Sequence, residues 1–62
     1  MKVRVEGTYG PSSGFRYRLT LPDGRRTSLP GDDWTRELAS RALDEVQRLT
    51  GARRGSIRFD HC

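Results

Sequence analysis

The stretch "GFRYRLTLPDGRRTSL", residues 14–29, decides the fold. Phe15, Tyr17, Leu19 and Leu21 alternate with Arg16, Arg18 and Thr20, the period-two pattern of a strand with one apolar and one basic face. The "PDG" that follows is a turn with a physical cause. Pro22 presets φ at the first central position, Asp23 tolerates the second, and Gly24 takes the left-handed bulge position. Such a turn sets the register of a hairpin. With Leu21 opposite Arg25, Leu19 meets Thr27, Tyr17 meets Leu29, Thr20 meets Arg26 and Arg18 meets Ser28. The side away from the core then displays Arg16, Arg18, Thr20, Arg26 and Ser28.

Upstream, "KVRVE" at residues 2–6 alternates in the same way, with Val3 and Val5 on one side and Lys2, Arg4 and Glu6 on the other. This predicts a strand whose Lys2 and Arg4 flank the basic face. Between the two, "GTYGPSSG" at residues 7–14 holds three glycines, a proline and two serines, and its composition predicts a mobile loop. The glycine spacing lacks the Lys-Ser or Lys-Thr pair of a phosphate-binding loop.

Downstream of "PGDD" the period changes from two to between three and four. Leu38, Ala39, Ala42, Leu43, Val46 and Leu49 recur as one face of an amphipathic helix over about residues 33–50. Thr35 or Asp33 suits the N-cap, Glu37 complements the helix dipole in the first turn, and Gly51 is a natural stop. Trp34 is expected to pack back onto the helix or the sheet edge. In "RRGSIRFDHC", Ile57 and Phe59 face one way and Ser56, Arg58 and Asp60 the other, predicting a fourth strand over about residues 56–60. A helix between two strands makes a crossover, so this strand runs parallel to the one it joins. The reading is a single domain over 1–62 of α+β class, order βββαβ. Its antiparallel strands lie at about 2–6, 15–21 and 25–29, and one helix packs on one face.

The chain has 62 residues, 32% of them hydrophobic, with five aromatics. A core this thin leaves both a monomer and a homodimer open. The only cysteine is Cys62, so no internal disulfide is possible, and a reducing cytoplasm is the expected compartment. No apolar run is long enough for a membrane span, and the first residues have no signal-peptide core. The net charge of +4 lies in residues 1–31, which carry six basic groups against two acidic ones, while residues 32–62 balance to zero. Eleven of the twelve basic residues are arginine, the side chain suited to bidentate contact with phosphate.

No set of residues assembles into catalytic machinery, so no catalytic residue, metal site or cofactor is expected, and the protein reads as a non-enzyme. His61 and Cys62 sit at the last two positions with no second histidine or cysteine, and an inert, frayed tail accounts for them. Asp32 with Asp33, and Asp44 with Glu45, are explained as caps and solvated helix surface. The basic sheet face has two readings. In one it only keeps an uncovered sheet soluble; in the other its arginines contact successive phosphates and base edges of a nucleic acid.

From Gly14 to Gly51 the chain resembles the arm-type DNA-binding domain of phage and transposon tyrosine integrases. The resemblance is carried by Gly14, Phe15, Tyr17, Arg18, Asp23, Gly24, Arg26, Ser28, Thr35, Glu37, Ala39, Ala42 and Leu43. It implies a three-stranded sheet laid in the DNA major groove, with Arg4, Arg16, Arg18, Thr20, Arg26 and Ser28 facing the nucleic acid. The plant ethylene-responsive factors are similar in outline. The link "PGDDW" differs from the shorter, basic link usual in the integrase family, and the fourth strand is an addition. In size and layout the chain also resembles small anti-CRISPR inhibitors, which implies an alternative partner, a host protein or ribonucleoprotein complex. On that alternative Tyr9 and Trp34, with the 7–14 segment or an exposed sheet edge, form the contact.

Overall fold

The computed structural model describes residues 1–61. Its elements run β1 (Lys2–Gly10), β2 (Gly14–Thr20), β3 (Arg26–Pro30), α1 (Arg36–Thr50), a 3₁₀ turn (Arg54–Ser56) and β4 (Arg58–His61). The four strands form one sheet in the order β3-β2-β1-β4. β1, β2 and β3 pair antiparallel, and the chain returns through α1 to lay β4 parallel to the outer side of β1. This is the α+β architecture that the sequence predicts, a mostly antiparallel sheet with one parallel pair.

The register expected from the "PDG" turn is the one observed. Thr20 pairs with Arg26, Leu19 with Thr27, Arg18 with Ser28 and Tyr17 with Leu29. The Leu21 amide donates to the Arg25 carbonyl at 2.8 Å, and the Gly24 amide to the Leu21 carbonyl at 3.0 Å. Gly24 has φ +94°, a conformation that costs a residue with a Cβ about 1–2 kcal/mol.

Residues 7–14 correct the expectation of a loop. β1 continues to Gly10 and β2 starts at Gly14, with Thr8 opposite Arg16, Tyr9 opposite Phe15 and Gly10 opposite Gly14. Composition misleads here, because the three residues 11–13 suffice to turn the chain once Gly14 adopts φ +72°. The cross-strand pair Tyr9–Phe15, with ring centroids 4.8 Å apart, favours continued pairing.

Smaller differences have equally local causes. The helix begins at Arg36 rather than about residue 33, because Thr35 is the N-cap and its Oγ1 accepts from the Leu38 amide at 3.1 Å. Gly51 ends the helix in the left-handed conformation, donating to the Gln47 carbonyl at 2.7 Å. β4 starts at Arg58 rather than 56, because the Ser56 amide and hydroxyl both bond the Arg53 carbonyl in the 3₁₀ turn. His61 belongs to β4, opposite Val5, instead of a frayed tail. Cys62 lies outside the described residues.

The core lies between α1 and one face of the sheet. Val3 and Val5 from β1, Leu19 and Leu21 from the β2 end, Ala42 and Val46 from α1, and Ile57 before β4 form one buried cluster. Trp34 closes one end of this layer. Its ring packs edge-on against Tyr17 and Phe59, at centroid distances of 5.3 and 5.4 Å, and against His61 at 4.9 Å. Strand alternation therefore sends every second residue of all four strands to the face that α1 does not cover.

Candidate nucleic-acid interface

The open face is built in rows across the sheet. One row holds Arg26, Thr20, Arg4 and Asp60, the next Ser28, Arg18 and Glu6, and the next Pro30, Arg16 and Thr8, with Lys2 and Arg58 at the opposite end. All six residues expected to face a nucleic acid, Arg4, Arg16, Arg18, Thr20, Arg26 and Ser28, lie in these rows. The same alternation puts Glu6, Arg58 and Asp60 beside them. Glu6 was legible as a neighbour from "KVRVE", whereas Arg58 and Asp60 could be placed only once β4 was known to pair with β1.

Lys2, Arg4, Arg16, Arg18, Arg26 and Arg58 stand on this face against Glu6 and Asp60, so it carries the whole net charge of +4. The rest of the chain balances. On the helix side Arg25, Arg41, Arg48 and Arg54 each meet a carboxylate, from Asp23, Glu37, Glu45 and Asp44 respectively, at 2.6–3.4 Å. Arg25 also donates to the Leu49 carbonyl at 2.6 Å, tying the β2–β3 turn to the last turn of the helix.

Arg16 and Arg18 of the open face are held by neighbouring strands. The Arg16 guanidinium donates to Ser28 Oγ through Nε at 3.2 Å and Nη2 at 3.0 Å. Arg18 Nη2 donates to Glu6 Oε2 at 3.0 Å, with 42% and 33% of the two side chains exposed. An ion pair this accessible is worth about 0–1 kcal/mol, so it orients the guanidinium without locking it. Arg18 Nε is buried and has no hydrogen-bond partner among the described residues. The free protein therefore holds Arg18 with part of its donor capacity unused.

The two residues of the alternative, protein-contacting reading separate. Trp34 is half-buried in the aromatic end of the core. Tyr9 is 67% exposed beside Phe15, at 57%, near the end of the β1–β2 hairpin. Next to them a shallow cleft of about 250 Å³ is lined by Gly7, Tyr9, Phe15, Tyr17 and Asp32, among others. Among the described residues no helix is long and apolar enough to cross a membrane, and no three His, Cys, Asp or Glu side chains gather as a metal site requires.

Comparison with known proteins returns no matching family, no matching characterised protein and no matching solved structure. The site is therefore read from its own chemistry.

Proposed function

We propose that this protein is a non-enzymatic, cytoplasmic nucleic-acid-binding module that lays its open sheet face on duplex DNA. The observation that supports this reading is the concentration of the entire net charge on the one sheet face that α1 leaves uncovered. Three adjacent strands span about 10 Å at the usual inter-strand spacing, comparable with the roughly 12 Å width of the major groove. Arginines two residues apart on a strand stand about 7 Å from one another, a spacing suited to successive phosphates. Thr20 and Ser28 supply neutral hydroxyls for phosphate oxygens or bases.

The test is fluorescence anisotropy of a labelled random-sequence duplex at low and near-physiological salt. Wild-type protein is expected to bind with steep salt dependence, and Arg16→Ala/Arg18→Ala to weaken binding and lower the slope of log K against log salt by about one or more. Unchanged affinity in that double variant would sink the reading. The exposed Tyr9–Phe15 pair favours a second reading, an inhibitor or adaptor of anti-CRISPR type that docks on a host protein complex through the hairpin end. No duplex binding at either salt, with a single protein partner lost on Tyr9→Ala/Phe15→Ala, would move the function there.

A further inference from the structure

Glu6 is out of place on a surface that serves only to neutralise phosphates. It stands in one of the two inner rows of the open face, one alternation from Arg4 on its own strand and directly opposite Arg18. A carboxylate there repels the nucleic-acid backbone, so a face built for backbone contact alone gains nothing from it. Base edges are different, because two of them present hydrogen-bond donors in the major groove, N4 of cytosine and N6 of adenine.

Resting on the duplex reading above, we infer that Glu6 and Arg18 form a single element that selects a C·G base pair in the major groove. Glu6 accepts from cytosine N4, and Arg18 donates to O6 and N7 of the paired guanine. The two side chains are side by side, with Nη2 and Oε2 3.0 Å apart. Cytosine N4 and guanine O6 are themselves hydrogen-bonded partners about 2.9 Å apart, so neighbouring protein groups of opposite sense meet neighbouring base atoms of opposite sense. The order of groups decides which pair fits. A C·G pair offers one donor followed by two adjacent acceptors, matching one carboxylate beside one two-pronged guanidinium. An A·T pair interposes its N6 donor between two acceptors, so the guanidinium loses one bond. Both side chains are partly exposed, and Glu6 engages Arg18 through Nη2 alone. Arg4, Arg16, Arg26 and Ser28 surround the pair, and phosphate contact falls to them.

The experiment is selection from a randomised duplex pool with wild type, Glu6→Gln and Glu6→Ala, followed by titration of the selected duplex with each base pair substituted in turn. Wild type is expected to fix a C·G pair and to bind about 10- to 100-fold more weakly when that pair becomes A·T. Glu6→Gln should shift the preference at that position toward A·T, because a glutamine amide pairs with adenine N6 and N7. Glu6→Ala should bind random duplex as tightly as wild type or more tightly while losing the discrimination. Circular dichroism and a thermal melt of each variant establish that it is folded. An identical C·G preference in Glu6→Gln, or salt-sensitive binding by wild type with no base preference, overturns the inference and leaves the duplex reading standing. No duplex binding by wild type at low salt removes both.

Discussion

The two faces of the sheet are made from alternate residues of the same strands, yet they obey different physics. On the covered face Val3, Val5, Leu19 and Leu21 are almost completely removed from water against Ala42 and Val46. On the open face their immediate neighbours Arg4, Glu6, Arg18 and Thr20 remain partly or fully exposed. Burial drives folding at about 25 cal/mol per Å² of apolar surface, whereas exposed charges contribute little to stability. Stability and the surface offered for recognition are therefore separable residue by residue along one strand.

The strongest attempt to break that separation is Leu19→Ala. It leaves a cavity in the buried cluster beneath the end of β2 and is expected to cost about 2–5 kcal/mol in urea unfolding, a large part of the roughly 3–9 kcal/mol that a domain this small has in total. A loss below about 1 kcal/mol would mean that Leu19 is not the centre of the core. Thr35→Ala sharpens the comparison on the helix side, where loss of the bond to the Leu38 amide should cost about 1 kcal/mol.

The paired test on the open face is Arg16→Ala/Arg18→Ala, expected to change unfolding free energy by less than about 1 kcal/mol while it changes binding. A larger loss would show that the open face holds the fold together as well. The smallest effect belongs to Asp23, outside both faces. The Arg25 side chain, and after it the Arg25 backbone amide, hydrogen-bonds the carboxylate and holds its pKa below the ordinary 3.8. Its contribution is present above the unfolded value and disappears as pH falls through the lower folded value. The difference in melting temperature between wild type and Asp23→Asn should therefore shrink as the pH drops below 3.8. A difference that stays constant down to about pH 2 would remove the titration of Asp23 as its cause.

Much of this arrangement is legible in the residues. Proline, aspartate and glycine at 22–24 leave one economical turn, and alternation then dictates which of Phe15 to Leu21 points inward. Thr35 and Gly51 mark the helix because capping chemistry is local. The 7–14 segment was not legible, because the pairing of Tyr9 with Phe15 depends on a cross-strand contact that glycine and serine content hides. The breadth of the basic face was only partly legible. Residues from β2 and β3 are neighbours through a short turn, but Arg58 and Asp60 join them through a parallel pairing that no local pattern encodes.

That parallel pairing divides the chain by the time its contacts take to form. β1, β2 and β3 meet through connections of three and five residues, while Lys2 finds Arg58 across nearly the whole molecule. Closing a long loop carries a larger entropy cost, and contacts distant in sequence form slowly. The antiparallel ribbon that bears Arg4, Arg16, Arg18 and Arg26 is thus expected to form first, and the docking of β4 on β1 to follow. In pulse-labelled hydrogen exchange the amides of β2 should gain protection before those of β4. A nascent chain then exposes its cationic surface before its interior is sealed.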